Sequence, residues 1–235
     1  AARDKNCGDL GNQRRIIIMA QQLGKMIVID GLDGSGKGKQ LDLLNQFFQK
    51  KGIRAEFTRE PGGVPIAEEY RDIILKQSSF SPEGKNDKAY AHFAMFWIAR
   101  MYHLMYRIKP TQESGVHVIC DRFDSSTRAF QIGGEEHHEL LKPFIDARKF
   151  MFGDWSPNLY VILDLAPEVA AERVKKDVAR VQTHFDLRPP EYHARVRNGF
   201  REFSKVAPCV FINADQTPEE VHRDVLAALQ PVLGF

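Results

Sequence analysis

The chain has 235 residues, 43% hydrophobic and 27% charged, the profile of one globular unit with a sizeable core. Its 33 Lys+Arg against 31 Asp+Glu leave a net charge of +2, which gives no field for bulk nucleic-acid or membrane-surface binding. No apolar run approaches the roughly 18 residues of a bilayer span, and the three cysteines, Cys7, Cys120 and Cys209, form no C-x-x-C pair, so a disulfide scaffold or Cys-based zinc site is excluded and a reducing, cytoplasmic compartment is expected.

Residues 1–24 read as a tail that carries no chemistry. They mix Arg3, Lys5, Arg14 and Arg15 with Asp4 and Asp9, too acidic for a transit peptide, and residues 16–19 are too short for a signal-peptide core. Strand and helix signals then alternate through a single expected domain, 25–235. Residues 25–30 (KMIVID) predict a first strand and 31–38 a glycine-rich turn; 39–51 place Leu41, Leu44, Phe47 and Phe48 at helical spacing. Residues 54–58 predict a second strand, closed by the breakers Glu60-Pro61-Gly62-Gly63. Helices are expected at 66–75 and 89–108, the longer one stopped by Pro110, before a third strand at 116–120. Two more helices (125–131, 136–150), a fourth strand (159–165), a helix (167–175), a basic irregular stretch (176–188) and a helix at 190–206 follow. A last strand (210–213) and a last helix (218–229) complete the pattern, with Thr217 as N-cap and Pro218 at its first position. Strands separated by helices, and apolar on both sides as in MIVI, VILDL and VFI, predict a doubly wound five-stranded parallel α/β sheet with helices on both faces.

Gly31-Leu32-Asp33-Gly34-Ser35-Gly36-Lys37-Gly38 lies between the first strand and first helix. G-x-x-x-x-G-K at such a turn is built for an anion: glycines let successive N–H groups face inward, the helix N-terminus adds partial positive charge, and the lysine reaches the transferring phosphate. A phosphate-bearing ligand is therefore expected over this loop and Lys39. Gly38 stands where a Ser/Thr hydroxyl ordinarily ligates Mg²⁺. Either other oxygens and water hold the metal or the site is weakened; G-K-G-x-Q is similar to the adenylate kinase loop, which has Gly there. Asp121-Arg122 follows the third strand, where a doubly wound sheet gathers ligand groups. Alone the pair reads as a surface ion pair; beside the loop it reads as a Mg²⁺-holding Asp121 and a phosphate-gripping Arg122. Phe96 and Arg100 share a helix face, either as a base-stacking plate beside a guanidinium or as core with a snorkelling arginine. Lys175, Lys176, Arg180, His184 and Arg188 form either a solvated loop or a short lid. No histidines stand at metal spacing.

These pieces together resemble the thymidylate kinases over about residues 25–230. Ile29 to Lys37 looks like the family's first strand and loop. Thr58-Arg59-Glu60-Pro61-Gly62-Gly63-Val64-Pro65 is similar to a stretch of the bacterial members, and Asp121 to Gln131 resembles the D-R-Y/H-x-x-S-x-x-A-Y-Q signature. Pro157-Asn158-Leu159 through Asp164, with Pro167-Glu168-Val169, matches the fourth strand and its helix. The resemblance implies a P-loop NTPase-type fold and ATP- and Mg²⁺-dependent phosphorylation of dTMP by a homodimer. By the same resemblance, Asp33 would accept from the sugar 3′-hydroxyl, and Glu60 and Pro61 would line the monophosphate pocket. Arg71 and Arg122 would hold the 5′-phosphate, Phe96 would stack on thymine and Arg100 would donate to its O4. Ser126, Thr127 and Gln131 would complete the base and sugar contacts, with Phe130 where many members carry Tyr. Gly34 resembles the bacterial type whose catalytic arginine comes from the lid, Arg180 first and Arg188 second. A related kinase with another monophosphate acceptor, or a nucleotide-binding protein without turnover, stands as the alternative.

Overall fold

The computed structural model describes residues 23–76, 85–177 and 188–235; the expected tail up to residue 22, and Arg180 and His184 of the expected lid, lie outside the described residues. The strands form one five-stranded parallel sheet in the order β2-β3-β1-β4-β5. β1 (Met26–Gly31) is buried along its whole length and β4 (Leu159–Asp164) along all but its last residue. β2 (Ala55–Arg59) and β5 (Cys209–Asn213), on the edges, are only partly covered. That gradient is what a sheet covered by helices requires, since only the central strands lose both faces to the core.

The crossovers set the layers. From β1 the chain steps two places along the sheet to β2 through α1 (Lys37–Lys51), then reverses to β3 (His117–Asp121), β4 and β5. The reversal puts α1 on one face, where it meets the last helix, α9 (Pro218–Leu233), and the intervening helices on the other. Those are α2 (Pro65–Lys76), α3 (Lys85–His103), α4 (Lys109–Glu113), the short α5 (Asp124–Ser126), α6 (Leu141–Phe152), α7 (Pro167–Lys176) and α8 (Pro190–Phe203). Apolar side chains from Met26 to Leu229 make one continuous core cluster. Among the described residues no helix is long and apolar enough to cross a membrane.

Local chemistry sets several boundaries. Gly52 ends α1 in a left-handed conformation (φ 67°), its N–H returning to the carbonyls of Phe48 and Gln49. Thr217 caps α9 as expected, with a reciprocal capping box to Glu220. Two expectations are corrected. Pro110 does not stop the long helix: a π-helical turn, Leu104–Ile108, precedes it and the chain continues helical to Glu113. Proline lacks an N–H and its ring collides with the carbonyl four residues back in an α-helix, so an i→i+5 turn immediately before it displaces that carbonyl. The helix expected at 125–131 is three α-helical residues running into a second π-helix, Thr127–Gly134. Its extra residue per turn leaves Gly133 and Gly134 against α8, where an added Cβ at Gly134 would come within 2.7 Å of Tyr192 and Val196.

Strand register brings the candidate residues to one edge. Ile29 and Arg59 are both opposite Asp121, Gly31 is opposite Leu163, and Asp164 opposite Asn213. Asp30, Asp121 and the loops that follow β1, β2 and β3 thus share the carboxyl end of the sheet, where open α/β sheets bind their ligands.

Candidate active site

The glycine loop closes on itself. Lys37 opens α1, is only 8% exposed, and donates through Nζ to the carbonyls of Gly31 (3.1 Å) and Leu32 (2.9 Å). Burial pulls its pKa down and Arg122 adds to that, with Asp33, Asp121 and Asp30 opposing. A lysine satisfied only by carbonyls keeps its charge available for an incoming anion. Gly34 sits at φ 81°, and a Cβ there would lie 2.4 Å from the Ala170 carbonyl, so only glycine lets the loop lie against α7. Helix α1 has no side-chain cap; its N-cap Gly36 leaves the first-turn N–H groups open to a ligand. Ser35 is buried with its Oγ unpartnered among the described residues, and Lys39 is exposed. Around Gly38 nothing would meet an added Cβ within 4 Å.

Asp30 joins that loop to the segment after β3. It is fully buried near the end of β1 and accepts from four donors, Ser126 Oγ reaching both oxygens. Its Oδ1 takes the Gly31 N–H (2.8 Å), Arg122 Nη1 (3.1 Å) and Ser126 Oγ (3.0 Å); its Oδ2 takes Ser125 Oγ (2.6 Å) and Ser126 Oγ (2.8 Å). Burial raises its pKa, with Arg122, Lys37 and Ser125 working against that. Arg122, held at φ 65°, also donates Nη1 to the Gly31 carbonyl (3.1 Å) and Nη2 to Asp33 Oδ1 (2.8 Å). Burial acts to lower the Arg122 pKa, but Asp33, Asp30 and Asp121 more than reverse it, and the guanidinium stays charged. Phe130 lies 5.2 Å from that guanidinium and meets Phe200 edge-on.

A second lattice is built on β2, α3 and the second π-helix. Glu60, 4% exposed and joined to Pro61 by a cis peptide, accepts from Arg100 Nε at 2.7 Å. Arg100 Nη2 donates to Thr127 Oγ1 (3.3 Å), and the guanidinium lies over the rings of Trp97 (4.9 Å) and Phe123 (5.2 Å). Its Nη1 is buried with no partner among the described residues, as is Gln131 Oε1. The snorkelling reading of Arg100 is therefore wrong: at 2% exposure the group is inside. Glu60, expected to line the monophosphate pocket, has both oxygens engaged, one by Arg100 and one by His103. Phe96 is half-buried one turn before Arg100. Arg71 donates Nη1 to the Pro61 carbonyl (2.8 Å), so it enters from α2 beside the same loop; burial and the Arg59 charge lower its pKa.

A cavity of about 540 Å³ opens where β2 and β3 end, lined by Thr58, Arg59, Gly63, Glu68, Arg107 and Asp121. Asp121 Oδ1 is buried with no hydrogen-bond partner among the described residues. A carboxylate oxygen so placed needs a cation or donor. Among the described residues no group of three or more His, Cys, Asp or Glu is placed to hold a metal. One orphaned carboxylate suits Mg²⁺, which keeps several waters and takes further oxygens from phosphates. Arg188, the described lid candidate, donates to Glu135 (2.6 Å) and lies over Tyr192 (5.4 Å), so it ties the start of α8 to the second π-helix. Arg180 lies outside the described residues.

Three groups in this region escape a reading of the sequence. Asp30 had one available signal, a charge at the end of an otherwise apolar strand. No sequence pattern singles out His103, or Tyr192, which is 2% exposed with its hydroxyl unpartnered among the described residues.

A family model described as thymidylate kinase matches residues 29–225. A thymidylate kinase of Bacillus cytotoxicus is 32% identical over 212 residues, 89% of this chain and 99% of that protein. One of Symbiobacterium thermophilum is 34% identical over 211 residues, 88% of this chain and 93% of its own.

Proposed function

The chain belongs to the thymidylate kinase family, and on that premise we propose that it transfers the γ-phosphoryl of ATP reversibly to the phosphate of dTMP, giving dTDP and ADP. The observation that carries the reading is the junction at Asp30, which fixes the glycine loop with Lys37 against the Arg122 segment, so that a donor phosphate and an acceptor phosphate meet on one edge of the sheet.

The reaction needs little proton chemistry, because a phosphate monoester has its second pKa near ~6 and is largely dianionic at pH 7. Its difficulty is bringing two anions together. Backbone N–H groups of the loop and α1 cradle the donor phosphates, and Lys37 leaves its carbonyl partners for the transferring group. Arg122, and Arg71 from α2, bind the 5′-phosphate of the acceptor. Asp33 orients the sugar and Phe96 stacks on the base. Arg100 offers Nη1 to the O4 carbonyl of thymine, a position where the amino group of cytosine presents a donor instead. Ser126 acts by fixing Asp30 and Arg122, Thr127 by fixing Arg100, and Gln131 offers Oε1 to the base. Asp121, directly or through water, would hold Mg²⁺, which when bound neutralises charge between the β- and γ-phosphates. Arg180 supplies the remaining positive charge from the lid.

Residues 25–235 work as one kinase domain, which the continuous core supports. It acts as a homodimer through α3 and the π-turn after it, where Ile98, Met105 and Tyr106 are 40%, 49% and 65% exposed on one side of the helix. The free thiols of Cys120 and Cys209 suit the reducing cytoplasm. The test is ADP formation by purified protein with Mg·ATP, with and without dTMP. ADP released only with dTMP is expected; ADP at the same rate without it, or only with another monophosphate, overturns the assignment.

A further inference from the structure

His103 ends α3, is fully buried, and is used by none of the steps above. Its Nδ1 lies 3.1 Å from Glu60 Oε1, and its Nε2 lies 2.8 Å from Thr58 Oγ1. Nδ1–H donates to Glu60, and the Thr58 hydroxyl, which can donate or accept, pairs with Nε2. Gly63, at φ 86°, makes room for this pair: a Cβ there would come within 2.4 Å of Nε2 and 2.7 Å of Thr58 Oγ1. The result is a continuous chain of contacts, Thr58 to His103 to Glu60 to Arg100 to Thr127.

The chain has a mechanical consequence. Arg100 meets Glu60 through Nε alone, and its contact with Thr127 is long. A carboxylate held at one oxygen keeps the broad range of its terminal torsion, and the guanidinium bonded to it would shift with it. Holding the second oxygen removes that freedom. We propose that His103 is a positioning residue for acceptor recognition: by fixing Glu60 Oε1 it sets the angle at which Arg100 presents its unpartnered Nη1 to the acceptor base. The ligand class follows from that donor, a pyrimidine monophosphate with a carbonyl rather than an amino group at position 4. The inference rests on the reading of Arg100 given under Proposed function.

The experiment measures kcat and KM for dTMP and for ATP, and the ratio of kcat/KM for dTMP over dCMP, in wild type, His103→Leu, His103→Asn and Thr58→Val. His103→Leu removes both bonds and is expected to raise KM for dTMP about tenfold, the effect of one lost buried hydrogen bond. The dTMP:dCMP ratio falls by a similar factor, and KM for ATP moves less than twofold. His103→Asn keeps an N–H for Glu60 and recovers most of both values. Thr58→Val, which loosens the ring without emptying the core, gives about a threefold change in the same direction and decides the matter if the leucine variant does not fold. A lowered thermal midpoint with unchanged dTMP KM and base ratio, or equal changes for dTMP and ATP, overturns the proposal. A wild-type enzyme that does not phosphorylate dTMP overturns instead the reading beneath it.

Discussion

The two lattices at the carboxyl edge of the sheet are assembled in opposite ways. The phosphate loop is local: Lys37 returns to carbonyls five and six residues behind it, and the loop lies between one strand and the helix it feeds. The Arg100 lattice draws Thr58 and Glu60 from the end of β2, Arg100 and His103 from α3, and Thr127 from the second π-helix, with sequence separations from 27 to 45. The loop presents open N–H groups and a cation waiting on carbonyls, whereas the Arg100 lattice is buried and mutually bonded with one donor left over. A group that must grip any nucleoside triphosphate can be generic and local. One that must distinguish bases has to be rigid, because an unpaired donor discriminates only if it cannot turn away.

That difference sets the order of expected effects. Lys37→Ala removes a cation proposed to act on the transferring phosphate, and turnover falls on the order of a thousandfold while dTMP affinity, measured by direct titration, stays within twofold. Arg100→Met strands the Glu60 carboxylate in a site only 4% exposed. The expected loss is about 3 kcal/mol, roughly 10 °C in thermal midpoint. Adding Glu60→Gln restores most of that stability and none of the dTMP affinity; a double variant as unstable as the single one breaks the account of the lattice.

Two smaller changes sharpen the contrast. Asp164, outside both lattices, is paired with Arg197 at 2.6 and 2.8 Å, and that hydrogen bonding holds its carboxyl below the ordinary range. A depressed pKa contributes stability above the unfolded value near ~3.9 and loses it as pH falls through the folded value. Since the pair is partly solvated, Asp164→Asn costs under about 1 kcal/mol at pH 7, and denaturant midpoints of the two proteins converge as pH falls through the depressed folded value. Gly38→Ser is the gentlest. It fills open space in the first turn of α1, gains about 0.5 kcal/mol of helix propensity, raises the thermal midpoint and lowers the Mg²⁺ concentration needed for half-maximal rate.

The same contrast explains how much could be read from the sequence. The sheet was legible because β1 and β4 are unbroken apolar runs between turn signals, and the loop because its glycines and lysine are consecutive. Arg122 and Asp121 were legible as the residues next after a strand. His103 was not, since its partners are 43 and 45 residues away and no local pattern separates a relay histidine from a surface one. The two π-helices were not legible either: their i→i+5 bonds leave no hydrophobic period distinct from an α-helix, and Pro110 looked like a stop until the wider turn before it was seen. The resemblance implies that Glu60 lines the monophosphate pocket; its bonds to Arg100 and His103, 40 and 43 residues away, leave no local pattern in the sequence.

If Arg100 reads the acceptor base as proposed, its partners are in place before any nucleotide arrives, since Glu60 and Thr127 already hold it at 2.7 and 3.3 Å. The most direct test is a calorimetric titration of dTMP into the protein with neither ATP nor metal present. Saturable binding is predicted, retained in Lys37→Ala and lost in Arg100→Met. Binding of dTMP that appears only once Mg·ATP has been added would contradict a prebuilt lattice.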